Sequence, residues 1–300
     1  MKQVVSVSLG SSKRDHDTTI WMYHQEIRVT RRGCDGDMDR AMIMLRELDN
    51  RVDVIGLGGI DRYLVVNGKA YEILDARRLA ECVQRTPVVD GTGVKAVWEY
   101  WVINQLVEQK IIVPDQKVLL VSALDRFGMA QAFYERGFAT VAGDLIFASH
   151  IDYPILSLQE LEKFARRLLP EMVKMPFAML YPTGSAQEQL SFDPIYDRYF
   201  AQADIVAGDF HFVRRYLPDE LSGKLIITNT TTEEDRRLLQ DRNLRTLITT
   251  TPVLDGRSFG TNVIEAAIVA ATGVMPGQKQ WEDAVRGAEL EYTVTRLDRV

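Results

Sequence analysis

From Lys117 onward the chain alternates short β-branched, apolar runs with longer amphipathic stretches, and no other feature restricts the fold as much. The runs lie at residues 118–121, 140–142, 177–181, 204–207, 225–228 and 246–250, and helical spacing fills 129–136, 158–169 and 233–241. Short apolar strands separated by crossover helices predict a parallel sheet covered on both faces, a doubly wound Rossmann-like domain. The first third has a different pattern. Strands are expected at 4–9, 18–23, 27–30 and 52–57, and a helix that Asp37 caps and Asp49-Asn50 stops. Asn67-Gly68 between two apolar runs, 63–66 and 70–73, predicts a hairpin. A helix at 75–84, a strand at 87–89 and a long helix at 94–109 lead to Pro114-Asp115-Gln116, the expected boundary. The fold class is therefore α/β, with an N-terminal α+β domain over 1–113 and the Rossmann-like domain over 114–300.

Charge and composition narrow the function. Lys and Arg number 36 against 42 Asp and Glu, a net charge of −6, so the chain lacks the basic balance of a phosphate-backbone binder and nucleic acid is not an expected partner. Two cysteines, Cys34 and Cys82, are too few for a disulfide framework or a four-thiolate zinc site and fit a reducing compartment. The richest apolar segment, 263–275, is broken by Glu265 and Gly273, and the N-terminus reads as a strand. The expectation is a cytoplasmic protein without membrane contact, open to homo-oligomerisation.

Candidate chemistry gathers where strands end. Residues 117–144 have the layout of a first βαβ unit, with Asp144 placed to accept ribose hydroxyls as the acid closing the second strand does in dinucleotide folds. Ser122, Asp125, Arg126, Gly128 and Asp144 are then the residues around a cofactor, NAD or NADP. The glycine positions of the fingerprint hold Ser122, Leu124 and Phe127 instead, and Leu124 would keep backbone away from a pyrophosphate. Gly91-Thr92-Gly93-Val94-Lys95-Ala96 satisfies G-x-G-x-x-A, but Asp90 directly before it makes a turn and helix start the better reading. The pair Ala142-Gly143-Asp144 and Ala207-Gly208-Asp209 puts an acid at the close of two strands. Thr86-Pro87-Val88-Val89-Asp90-Gly91 likewise echoes Thr251-Pro252-Val253-Leu254-Asp255-Gly256.

Proton transfer is assigned to Lys13, Asp209 and His211, the last two facing one side if the segment is extended. Substrate contacts are assigned to Ser12 and Arg14 after the first strand, Thr228, Asn229 and Thr230 after another, and Asp255, Arg257 and Asn262 ahead of a helix. Thr232 and Asp235 read as a capping box. No H-x-x-x-H or C-x-x-C spacing suggests a metal, although Asp144, Asp209 and Asp255 leave a Mg²⁺ carboxylate site open.

Four segments, Ser8-Leu9-Gly10-Ser11-Ser12-Lys13-Arg14-Asp15-His16, Tyr181-Pro182-Thr183-Gly184, Ala207-Gly208-Asp209-Phe210-His211 and Gly256-Arg257-Ser258-Phe259-Gly260-Thr261-Asn262, give a resemblance to a bacterial family commonly labelled quinate 5-dehydrogenase. The resemblance spans nearly the whole chain. It implies NAD(P)-dependent oxidation of a ring hydroxyl on a quinate-like polyhydroxy carboxylic acid, hence a small anionic substrate. The glycine-rich loop and Lys/Asp pair of well-studied quinate and shikimate dehydrogenases are absent in that form, so no catalytic residue transfers. The alternative is a non-redox α/β protein, a sensor or transferase, that binds a phosphorylated or carboxylated small molecule.

Overall fold

The computed structural model describes residues 1–180, 194–251, 253–254 and 257–297. The protein is α/β with mixed sheets and forms two compact units. One comprises Met1–Val97, Leu168–Gln187 and Phe259–Leu290; the other comprises Trp98–Arg167, Glu188–Ser258 and Glu291–Val300.

In the first unit the strands are β1 (Lys2–Ser8), β2 (His16–Met22), β3 (Gln25–Gly33), β4 (Val54–Gly58), β5 (Tyr63–Val66), β6 (Lys69–Glu72) and β7 (Val88–Val89). Five of them make a sheet ordered β2-β3-β1-β4-β7, parallel except for the antiparallel pair of β2 and β3. Central β1 is buried without a break from Val4 to Ser8, as a strand covered on both faces must be, whereas edge strand β2 buries Ile20 and Met22 and exposes Trp21. β5 and β6 form the expected hairpin, with Asn67 and Gly68 both at positive φ, 47° and 72°. Asp37 caps the helix Met38–Leu48 through the Arg40 amide at 2.9 Å.

The helix Thr261–Thr272, buried from Asn262 to Ala270, packs on this sheet, and the two glycines of β4 explain how it comes so close. A Cβ on Gly56 would stand 2.9 Å from the Asn262 carbonyl oxygen, and one on Gly58 3.1 Å from its side-chain nitrogen. Asn262 itself donates to Ser6 Oγ at 2.7 Å inside the layer.

Two local expectations change. Residues 177–180 are a helix, Phe177–Leu180, not a strand; Pro176 precedes it and the Asp75 carboxylate accepts the Phe177 amide at 2.9 Å. The long helix expected from Val94 instead consists of Thr92–Val94, a π-helical turn Lys95–Glu99 and the helix Tyr100–Glu108.

In the second unit the strands are β8 (Lys117–Leu120), β9 (Ala139–Ala142), β10 (Ile205–Ala207), β11 (Leu225–Thr228), β12 (Thr246–Thr249), β13 (Val253–Leu254), β14 (Arg257–Ser258) and β15 (Thr293–Arg296). The main sheet runs β15-β12-β11-β10-β8-β9, with β15 alone antiparallel, and β13 pairs with β14. Chain order reverses at β8, whose neighbours are β9 on one side and β10 on the other. The carboxyl ends of β8 and β10 thus form a topological switch point, the place where open α/β sheets hold ligands. The helix Glu233–Asp241 has its predicted ends and the Thr232/Asp235 capping box.

Asp49 fixes the exit from Met38–Leu48. Its carboxylate accepts the amides of Gln84, Arg85 and Thr86 at 2.9, 3.0 and 2.9 Å, and those bonds hold it down at a pKa of about 2. A depressed carboxyl contributes stability above its unfolded value and loses it as pH falls through the folded one. Asp49→Asn is expected to lower the denaturation midpoint at pH 6, with the gap from the parent closing between about pH 4 and pH 2; an equal gap at both ends of a pH series of urea melts would contradict this.

Candidate functional site

The loop that follows β8, residues 121–126, is held from both sides by acids that close the flanking strands. On the β9 side, the Asp144 carboxylate accepts the amides of Ala123 and Leu124 at 3.1 and 2.9 Å. Burial raises the Asp144 carboxyl to a pKa of about 6, against the pull of those two bonds. On the β10 side, the Asp209 amide donates to Ser122 Oγ at 3.1 Å, and its carboxylate meets Arg126 Nη2 at 2.6 Å. The repeated Ala-Gly-Asp ending is therefore one device used on each side of the interior strand β8. Its glycines are needed for space. A Cβ on Gly143 would fall 2.5 Å from the Phe147 ring, and Gly208, at φ 136°, would put one 2.6 Å from Val121.

Arg126 is the centre of the cluster. Its Nη1 meets Glu99 Oε1 at 2.5 Å, its Nη2 meets Asp209, and its Nε meets Asp125 Oδ2 at 3.1 Å. Arg126, Glu99 and Asp209 retain 3%, 0% and 4% of their exposure, so these charges are fully desolvated and depend on one another. Asn229 extends the cluster to β11, donating to Asp209 at 2.8 Å and accepting the Phe210 amide at 3.0 Å. Thr228 Oγ donates to the Gly208 carbonyl at 2.8 Å, and the Thr230 and Thr251 hydroxyls stand 3.2 Å apart. Around this buried floor Asp125, His211, Asn229 and Thr230 remain half-buried.

The second unit thus gathers Ser122, Asp125, Arg126, Asp144, Asp209, Thr228 and Asn229. Gly128 lies inside the first turn of the helix Phe127–Glu135. Asp209 and His211 do not flank an extended segment: Asp209 caps the helix Phe210–Arg215 and its Oδ1 accepts the His211 amide at 2.9 Å. Lys13, Ser12 and Arg14 form a short 3-10 turn in the first unit, and Asn262 is also there, inside the sheet–helix layer. Asp255 and the side chain of Arg257 fall outside the described residues, as do Pro252, Gly256 and 181–184. Glu99 escaped sequence reading, although a carboxylate inside Val-Trp-Glu-Tyr-Trp-Val is itself a sign of a buried charge with a partner.

The loops that resemble phosphate cradles carry their own carboxylates. Glu265, inside the helix Thr261–Thr272, accepts the Gly91 and Val94 amides at 2.9 and 2.7 Å, filling the G-x-G-x-x-A turn; burial and then Asp90 raise its pKa. Asp35 takes the Ser12 amide at 2.7 Å, and Ser8 and Ser11 hydroxyls take those of Gly10 and Lys13. Asp144 takes the two amides of the β8 loop where a pyrophosphate would sit, and Leu124 is buried there. Among the described residues, no three His, Cys, Asp or Glu side chains converge on a metal position.

A family model described as a domain of unknown function, DUF8754, matches residues 93–297. The chain belongs to the DUF8754 family. A second model with the same description, DUF8753, matches residues 3–90. No curated protein matches the sequence significantly. Similar solved structures include AraP, an arabinose binding protein from Geobacillus stearothermophilus, at 10% identity and TM-score 0.43, covering 99% of this chain and 97% of that one. GanP, a glucose-galactose binding protein from the same organism, matches at 11% identity and TM-score 0.40, with coverage of 99% and 97%. An ABC transporter periplasmic solute binding protein from Actinobacillus succinogenes with bound D-allose matches at 9% identity and TM-score 0.38, with coverage of 99% and 98%.

These findings overturn the identification with quinate dehydrogenases and what followed from it. The three structures are described as sugar-binding or solute-binding proteins, and the oxidoreductase activity, the enzymatic role and the NAD or NADP cofactor expected from the resemblance are withdrawn. The loop geometry gives the physical reason for the cofactor: its amides are already spent on Asp144. The expected small anionic substrate, the exclusion of a membrane partner and the cytoplasmic placement are withdrawn with them; those three proteins are described by sugars and, in one case, as a periplasmic protein of an ABC transporter.

Arg126→Met removes the guanidinium from between Glu99 and Asp209 and is expected to cost about 3–5 kcal/mol of unfolding free energy. Chemical denaturation measures it; a loss under about 1 kcal/mol would show that the ion cluster is solvated rather than buried.

Proposed function

We propose that the protein is a non-catalytic binding protein for a small, neutral, polyhydroxylated solute such as a monosaccharide. The ligand is taken by the second unit at the carboxyl ends of β8, β10 and β11, in what we read as a doubly wound, Rossmann-like sheet. One observation carries this: each nitrogen of Arg126 already faces a carboxylate, of Glu99, Asp209 and Asp125. A phosphate or carboxylate ligand would have to displace one of them and meet the others at close range, which is the repulsion that excludes an anion. Hydroxyls face no such penalty. Carboxylates accept from them, the second N–H of an amide such as that of Asn229 donates to them, and Thr230 does either. The half-buried rim of Asp125, His211, Asn229 and Thr230 supports contact with a solute, while the desolvated floor holds Asp125 and Asp209 in fixed orientation.

Thermal shift and calorimetry with a panel of neutral pentoses and hexoses, set beside the matching uronic acids and sugar phosphates, test the assignment. A neutral sugar at a hundred times its Kd is expected to add about 2.7 kcal/mol to stability. Asn229→Ala should weaken that sugar by roughly 3- to 10-fold, the worth of one lost hydrogen bond. Binding of the phosphates or acids without any neutral sugar would reverse the assignment.

A further inference from the structure

The β8 loop that supplies Asp125 and Arg126 has its two preceding amides, Ala123 and Leu124, fixed by a single side chain, Asp144, at 3.1 and 2.9 Å. Asp144 lies at a different strand end, after β9. On the other side the loop is fixed by Ser122 Oγ to the Asp209 amide and by Arg126 to the Asp209 carboxylate. Releasing the Asp144 bonds would therefore leave residues 123–125 attached to the sheet at one side only.

We propose that Asp144 is a positioning residue, a latch that orders the ligand loop while its carboxylate is ionised and frees the loop when it takes a proton. An ionised carboxylate only accepts, and both of its oxygens suit the two N–H groups; a protonated one turns an oxygen into a donor and weakens the pair. Among the described residues, the charged or titratable groups that face Asp144 are Asp125 from the loop and Tyr134 from the helix Phe127–Glu135, and Asp125 raises its pKa further. Burial is the largest cause of its rise to about 6, which brings the change within reach of mildly acidic conditions.

The sign of the linkage makes this a local event. Because the folded carboxyl has a higher pKa than the unfolded one, the native state binds more protons between about pH 4 and pH 6, so acidification across that window favours the folded protein while it opens the loop. Asp144→Asn, the neutral mimic, is accordingly expected to fold.

The inference rests on the sugar-binding assignment for its consequence but is tested on the loop itself. Amide exchange at Ala123 and Leu124, corrected for intrinsic rates, is followed from pH 7.5 to pH 5 with Ile226 and Ile227 of β11 as controls. Protection at the two loop amides is expected to fall about tenfold over that range in the parent, following the ionised fraction. In Asp144→Asn it should be low and independent of pH, with the controls steady in both proteins. The affinity of whichever neutral monosaccharide binds should fall in parallel in the parent and stay flat in the variant. Unchanging loop protection in the parent, or parent-like protection in Asp144→Asn, would overturn the latch even if sugars bind. Titrating protection with no sugar bound at any pH would uphold the latch and overturn the sugar assignment.

Discussion

Carboxylates that accept backbone amides at the ends of strands are the interaction on which most of this architecture depends. A chain leaving a buried sheet carries N–H groups with no ladder partner, and each must be satisfied or bear the desolvation cost. A carboxylate offers about four lone-pair sites on one side chain and is the densest acceptor available. Asp49 serves three amides, Asp144 and Glu265 two each, and Asp90 takes those of Arg62 and Tyr63 at 2.6 and 3.0 Å. Asp53 and Asp204 do the same for Gln3 and Lys117, in the first two residues of the interior strands β1 and β8. Six of the chain's 42 acids thus serve as internal punctuation.

This economy has a functional consequence. A glycine-rich turn at a helix start binds phosphate because its amides point outward and lack acceptors. Here the equivalent turns arrive with the acceptor built in, from Asp35, Glu265 or Asp144. Sequence spacing cannot distinguish an open cradle from one occupied by a residue 171 positions away, as Val94 is by Glu265. The resemblance to dehydrogenases drew on loop segments of this kind, whose residue types suit anion capture whether or not the anion is the protein's own.

What the sequence does convey is local or periodic. Asp37, Asn67-Gly68 and the Thr232/Asp235 box were legible because cap and turn chemistry acts over two to four residues. The strands from β8 to β12 were legible because a strand buried on both faces must be apolar throughout. Residues 177–180 misled for the converse reason: four apolar residues have no measurable period, and what decides for helix is Asp75, far away in sequence, accepting the Phe177 amide. The twin Ala-Gly-Asp endings were visible as a repeat, but their role required the order β9-β8-β10, which places one on each side of the same loop. Glu99 shows the remaining gap. Its partner is 27 residues away, and only the fold shows that the partner is Arg126.

Buried ion clusters seldom raise stability over well-packed apolar residues of equal volume, so the Arg126 group needs another reason to exist. Its geometry supplies one. Asp209 divides its carboxylate, with Oδ1 on the His211 amide and Oδ2 shared by Arg126 and Asn229, so a single side chain fixes the start of Phe210–Arg215, the loop after β8 and the end of β11. An apolar replacement could fill the space but could not orient three elements at once. Fixed directions at a switch point are what a hydroxyl-rich ligand requires, because its affinity comes from many weak, directional bonds whose entropic cost must already have been met by the protein. On the proposed sugar-binding reading the cluster acts as preorganisation: stability is given up in the floor so that the rim presents its acceptors and donors without further rearrangement.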